Sequence, residues 1–146
     1  MQLIVQLLRR VYWFQEAALD SFEMNGLAPV TRTQSMVIST IVGGEYRAAN
    51  IARLLGVSRQ AVGQILADLE AMGFVELTPD PKDRRSKIVS LRPEFVAEGA
   101  SHPVLFDALE EELGRRIGRK NVSRLREILA TDWGEPPQVS IADKAG

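Results

Sequence analysis

The sequence of 146 residues has no cysteine and a single histidine, His102. The lack of cysteine excludes disulfides, thiolate zinc sites, iron–sulfur clusters and cysteine nucleophiles. A single histidine cannot form a catalytic histidine pair, and a metal site built on it would have only carboxylates as co-ligands. No phosphate-binding loop or dinucleotide-binding fingerprint is present either. We therefore expect no metal, no cofactor and no enzymatic activity.

Long apolar runs and a large net charge are also missing. No stretch approaches the roughly 18 apolar residues that a membrane span needs, and Met1–Arg10 lacks the pattern of a signal peptide. We therefore expect a cytoplasmic protein with no membrane partner. The net charge is only −1, but eight basic and five acidic residues between Arg47 and Arg92 give that segment +3, against −4 elsewhere. This segregation hints at an anion-binding middle segment.

The composition, 45% apolar and 25% charged, is that of one ordinary globular domain. Apolar residues at three-and-four spacing predict helices over about 3–22, 31–42, 50–55, 58–72 and 101–117, and a last helix around 122–129. Two short segments, Phe74–Thr78 and Lys87–Leu91, predict a hairpin joined by a long basic loop, Pro79–Ser86. The polar, proline-containing tail, 134–146, is expected to be disordered.

The most specific signal lies in residues 50–68, NIARLLGVSRQAVGQILAD. Two helices that pack across a short turn require a small residue where they cross and a glycine in the turn, and Ala52 and Gly56 meet these conditions. Ser58 can cap the second helix. Its outward face then presents residues suited to the major groove of DNA, with Gly63 allowing close approach: Ser58, Arg59, Gln60, Gly63 and Gln64. The alternative is a helical hairpin with a solvated polar face.

Long cations follow in the predicted hairpin loop, where they can reach phosphates or the minor groove. With Arg53 on the preceding helix, the predicted phosphate and wing contacts are Arg53, Lys82, Arg84, Arg85 and Lys87. Asp83 lies among these cations, and we interpret it as an orienting partner rather than a DNA contact. The alternative for this loop alone is an ordinary solvated turn.

The stretch from about Thr31 to Leu91 resembles the MarR family of transcriptional regulators. The resemblance rests on IARLLGVSRQAVGQILADLEAMGFVEL and PDPKDRRSKIVSL, where Asp83 and Arg85 are similar to the family's Asp-x-Arg wing signature. With the flanking helices it covers roughly Leu3–Trp133. The sequence departs from the family at Arg92, where threonine is common, and in the unusual segment 93–99.

The resemblance implies a mainly α fold with a small β-hairpin wing. It implies one domain, 1–133, in which a winged helix-turn-helix lobe, 31–92, is flanked by dimerisation helices, 1–26 and 101–133. It also implies a homodimer, a recognition helix beginning at Ser58, and a minor-groove contact by Arg85 that Asp83 holds in place.

We therefore predict a homodimeric repressor that binds a pseudo-palindromic operator in double-stranded DNA. Residues of the first two helices are interpreted either as a pocket for a small aromatic effector or as plain core: Tyr12, Trp13, Phe14 and Met36. The alternative function, which the weak overall charge leaves open, is a winged-helix protein–protein interaction module that does not bind DNA.

Overall fold

The computed structural model describes residues 1–97 and 102–140, which form helices and one antiparallel hairpin. The helices are α1 (Leu3–Met24), α2 (Arg32–Val42), α3 (Ala48–Leu55), α4 (Arg59–Ala71), α5 (Pro93–Ala97), α6 (His102–Ile117) and α7 (Arg119–Ala130). Strands β1 (Val75–Asp80) and β2 (Asp83–Leu91) follow α4 and form the wing, residues 75–91. The expected fold class, mainly α with a small β-hairpin, is confirmed.

Local sequence sets the boundaries of the helix-turn-helix. A capping box opens α2, because the Thr31 hydroxyl accepts the Gln34 N–H while the Gln34 side-chain oxygen accepts the Thr31 N–H. Gly56 ends α3 in the left-handed conformation, φ 65°, which glycine adopts without steric cost. Ser58 caps α4 by accepting the Ala61 N–H at 3.0 Å.

The chain divides into two compact units, Met1–Leu109 and Glu110–Gly146. One hydrophobic core organises the first unit, with residues from the end of α1 through α5: Phe22, Val37, Ile38, Ile41, Ile51, Ala52, Val62, Leu66, Leu69, Phe74, Val75, Val89 and Phe95. Because α2, α3, α4 and the wing all contribute to this core, it fixes which face of α4 remains exposed.

The hairpin differs from the prediction of a long basic loop. Its strands continue to Asp80 and resume at Asp83, so only Pro81 and Lys82 form the turn. The two prolines correctly excluded a helix, but proline is compatible with an edge strand and with the second position of a turn. Pro79 still pairs with Lys87, whereas the next pair is Asp80 with Asp83, so residues 84–86 form an irregularity in β2.

The short helix α5 was not predicted. Pro93 opens it, in the first helical position where a missing N–H costs nothing. The Phe95 ring packs edge-to-face on Phe74, with centroids 4.7 Å apart, and so attaches α5 to the base of the wing. The rest of this unusual connection, 98–101, lies outside the described residues.

In the second unit, ion pairs link the end of α6 to α7. Arg119 Nη2 lies 3.0 Å from Glu111 Oε2, and Arg126 pairs with Glu110. No side chain of helix α7 is buried by the residues that the structure describes. Residues 131–140 form no helix or strand, whereas the last part of the predicted tail, 141–146, lies outside the described residues. The subdivision into 1–26, 31–92 and 101–133 stays a prediction.

Two absences hold for the residues that the structure describes. None of their helices combines the length and apolar character needed to cross a membrane. Within the same ranges, no three acidic or histidine side chains converge in a way that could hold a metal ion.

Candidate nucleic-acid interface

Helix α4 separates a buried face from an exposed one. Val62, Leu66 and Leu69 point into the core at helical spacing and are at most 2% exposed. The opposite face and the N-cap carry the predicted DNA-contacting residues of the recognition helix, all of which are exposed: Ser58, Arg59, Gln60, Gly63 and Gln64. The fold therefore brings these five residues to one accessible surface.

Two polar residues hydrogen-bond to predicted contact side chains, one on each helix of the helix-turn-helix. Asp68 accepts a hydrogen bond from Gln64 Nε2 at 3.0 Å, one helical turn away. This bond uses one of the two amide hydrogens, so it leaves the carboxamide oxygen and the other hydrogen for a base edge. On α3, Asn50 Oδ1 accepts from Arg53 Nη2 at 3.0 Å. The three- and four-residue spacings were the available signal for both pairs.

The predicted cations of the wing are also exposed. Lys82 lies in the turn, and Arg84, Arg85 and Lys87 lie on β2. Asp83 accepts the Arg85 backbone N–H and the Ser86 hydroxyl, each at 3.0 Å. Asp83 thus binds the main chain at Arg85 and the side chain of Ser86, and its role in orienting the Arg85 side chain stays a prediction.

A buried carboxylate that the sequence did not indicate anchors the wing. Asp80 is 3% exposed, and its Oδ2 accepts from Arg47 Nε at 2.9 Å while its Oδ1 accepts the Lys82 N–H at 2.9 Å. The Lys82 N–H and the Arg47 guanidinium lower the pKa of Asp80, although burial alone would raise it. Arg47 directly precedes α3, so this ion pair joins the turn of the wing to the helix-turn-helix.

Further bonds fix the base of the wing. Glu70 Oε2, on α4, accepts the Leu77 N–H of β1 at 2.9 Å. Arg92, where the sequence departs from the MarR pattern, donates its backbone N–H to Phe74 O at 3.0 Å and its Nε–H to Val75 O at 3.3 Å. The departure therefore has a structural role, because Arg92 closes the open end of the hairpin.

A groove of about 360 Å³ runs between α4 and the wing. Arg59 and Gly63 border it from the helix, and Arg85, Ser86 and Lys87 border it from β2. The fold thus brings one predicted recognition-helix cation and two predicted wing cations to the same groove. The other predicted contact residues are exposed but do not line it.

The predicted effector residues are only partly gathered. The Trp13 and Phe14 rings pack edge-to-face, 4.9 Å apart, and the Arg32 guanidinium lies 5.4 Å from the Tyr12 ring centroid. Met36 is half-buried on α2. Two cavities, of about 300 and 540 Å³, border the later part of α1 from Leu19 onward, and neither is lined by a predicted effector residue. The effector pocket stays a prediction.

Comparisons with known proteins agree with this geometry. Residues 28–86 match the model of the MarR family. The chain is similar to the transcriptional repressor CouR bound to a 23-mer DNA duplex, with 26% identity, a TM-score of 0.64, and coverage of 88% of this chain and 90% of that one. It is also similar to apo MarR from E. coli (21%, TM-score 0.59, coverage 88% and 95%) and to an S. aureus MepR–DNA complex (16%, 0.61, 88% and 94%). No curated protein sequence gives a match.

The matched range contains α2, α3, α4, β1 and the part of β2 that carries Arg84 and Arg85. It therefore includes both helices of the helix-turn-helix and Arg85, one of the two wing cations that line the groove. Residues 28–86 thus match the MarR family of transcriptional regulators, and the chain has the winged helix-turn-helix fold of that family's solved members.

Proposed function

We propose that the protein is a homodimeric transcriptional regulator that binds double-stranded DNA through α4 and the wing. One observation carries the proposal: Arg59 of α4 and Arg85 and Lys87 of β2 are exposed on a single groove. Such clustering of cations suits a phosphate-bearing partner. The MarR-family match supports it. The solved structures of CouR and MepR, each described as a complex with DNA, support it as well.

The proposed contacts follow from the position and chemistry of each side chain. Arg59, Gln60 and Gln64 read base edges in the major groove, where each good contact discriminates by about 1–3 kcal/mol. Ser58 and Arg53 bind phosphates and fix the register of α4. On the wing, Arg85 and Arg84 enter the minor groove, and Lys82 and Lys87 bind phosphates.

Exposed apolar residues support the homodimer. The first half of α1 exposes Leu3, Ile4, Leu8 and Val11, and α7 exposes Leu125, Ile128 and Leu129. The exposed fraction of each of these residues is about 40% or more. Two α4 helices related by a two-fold axis would enter major grooves about 34 Å apart, so the operator should be a pseudo-palindrome.

Repression and its relief are further parts of the proposal. CouR is named a transcriptional repressor, and a dimer bound to an operator occludes other proteins there. A small aromatic effector would bind beside Tyr12, Trp13, Phe14 and Met36 and weaken DNA binding. A DNA-binding role also fits the cytoplasmic location expected from the sequence.

The test is selection of bound duplexes from a random-sequence pool at two salt concentrations. We expect the wild-type protein to enrich a palindromic motif, and the Arg59→Ala/Arg85→Ala variant to lose it. A Lys120→Ala/Arg124→Ala variant removes the same charge from α7 and should keep the motif. If wild-type protein enriches nothing and retains no DNA even at low salt, the protein–protein interaction module becomes the better description.

Single substitutions separate the two contact types. Gln60→Ala should change base preference within the motif, because it removes a reader of base edges. Arg85→Ala should weaken binding to all sequences and reduce the salt slope by about 1. An Arg85→Ala variant with unchanged affinity and salt slope would contradict the role given to the wing.

A further inference from the structure

Helix α4 contains a glycine that the fold itself does not need. Gly63 lies inside the helix and is exposed, and a Cβ atom added to it would meet no heavy atom of residues 1–97 and 102–140 within 4 Å. Its backbone is not in the left-handed region, unlike that of Gly56. It also differs from Gly114, where an added Cβ would lie 3.1 Å from Arg119 Cγ.

Glycine inside a helix is less stable than alanine, because it loses more backbone freedom on folding. At Gly56 the left-handed backbone explains the residue, and at Gly114 the close neighbour does. Neither reason applies to Gly63. The space above Gly63 is therefore best explained by a molecule outside the chain that approaches α4 there.

The chemistry of the groove indicates what that molecule is. Arg59, Arg85 and Lys87 contribute three positive charges to its lining, and Glu70 contributes the one acidic side chain. One Glu70 oxygen already accepts the Leu77 N–H, and the remaining lining includes apolar side chains such as Leu66 and Leu77. Cations beside an apolar floor match a sugar–phosphate strand, whose phosphates bind cations and whose deoxyribose edges pack on apolar surface.

We infer that Gly63 is the residue whose missing side chain lets the DNA backbone approach α4 closely where it passes between α4 and the wing. The inference rests on the proposed function. If α4 enters the major groove and the wing the adjacent minor groove, the strand that separates these two grooves must pass between them. Gly63 then lowers the stability of the free protein but allows close approach to the DNA backbone.

Gly63→Ala and Gly63→Leu test the inference, with melting temperature and DNA affinity as the two measurements. Gly63→Ala should raise the melting temperature by about 2–8 °C, because alanine is the better helix former and has room. Affinity for short random-sequence duplexes at low salt should fall in both variants. The loss should be roughly tenfold or more for Gly63→Leu, because the larger side chain prevents the DNA backbone from reaching α4. Phosphate-ethylation interference can be measured on the duplex that wild-type protein enriches. The phosphates at which ethylation most strongly blocks wild-type binding should no longer affect binding of Gly63→Leu.

Gly43→Ala is the matched control. Gly43 is exposed after α2 with φ −70°, and an added Cβ would make ordinary contacts, 3.4 Å from Ser39 O and Thr40 O. Gly43→Ala should leave DNA affinity unchanged.

Three outcomes would overturn the inference. If Gly63→Leu binds DNA like wild type while Arg59→Ala/Arg85→Ala loses binding, the groove is not the strand site and the proposed function stands. If Gly63→Ala lowers the melting temperature, the space above Gly63 is not open. If wild-type protein retains no duplex at low salt, the inference and the proposed function fail together.

Discussion

The helices around the wing and helix α7 use their apolar residues in opposite ways. Ile38 of α2, Ile51 of α3 and Leu69 of α4 are completely buried within the chain. Helix α7 buries no side chain, and its Ile128 and Leu129 are about half exposed. The winged-helix segment is therefore stabilised by contacts within one chain, whereas the apolar face of α7 gains stability only when another surface covers it.

Helix α1 contains both kinds of surface. Ala18 and Phe22, in its second half, are buried, whereas Ile4 and Leu8, in its first half, are largely exposed. The change from intrachain to exposed packing thus occurs within one continuous helix. Substitutions in the two halves should therefore have different effects. Those in the buried second half should reduce folding stability, and those in the exposed first half should reduce association.

The largest expected effect is on the buried side. Leu69→Ala removes a fully buried side chain from α4 and should lower the free energy of unfolding by about 2–5 kcal/mol. Urea denaturation measures this loss. Leu54→Ala makes the same change at a 69% exposed position on α3 and should change stability by less than about 0.5 kcal/mol. Equal losses in the two variants would contradict the division between core and surface.

The next effect concerns the exposed face of α7. Ile128→Glu should weaken dimerisation by about 2 kcal/mol or more, because it places a charge within the proposed apolar interface. Sedimentation velocity should then show monomer at concentrations where wild type is dimeric, with the same far-ultraviolet circular dichroism. Leu54→Glu introduces the same charge on α3 and should remain dimeric. A wild-type protein that sediments as a monomer would remove the homodimer from the proposal.

The same contrast explains what the sequence could predict. The helix-turn-helix was predictable because Ala52, Gly56 and Ser58 satisfy requirements that lie within a few positions of one another. The wing was predicted with a loop that is too long, because the strand extensions depend on the pairing of Pro79 with Lys87 across the hairpin. Cross-strand pairing leaves little trace in local composition.

Contacts between distant positions were not predictable. Arg47 and Asp80 are 33 positions apart, and each has the ordinary appearance of a surface residue in the sequence. Gly63 is the opposite case. The sequence already indicated that its missing side chain allows close approach, but only the structure shows that none of the described residues occupies the space.

Asp80→Asn tests how strongly the wing depends on its buried anchor. Because the folded-state pKa of Asp80 is lowered, the carboxylate adds stability above its unfolded pKa, and this contribution is lost as the pH falls through the folded value. The melting temperature of wild type should therefore fall more than that of Asp80→Asn between neutral pH and pH of about 3. Parallel decreases in the two proteins would show that the Arg47–Asp80 pair does not stabilise the wing.

The smallest effects compare two helix caps that use the same chemistry. Thr31 caps α2 and Ser58 caps α4, each by accepting one backbone N–H, and replacement by alanine should cost about 1 kcal/mol of stability in either case. The two variants should differ in DNA binding, because only Ser58 lies on the proposed contact surface. Ser58→Ala should therefore weaken affinity for the enriched duplex by several-fold, the loss of one phosphate contact, while Thr31→Ala binds as wild type. Equal affinities in the two variants would mean that the Ser58 hydroxyl serves only as a helix cap and that α4 is held on DNA by its other side chains.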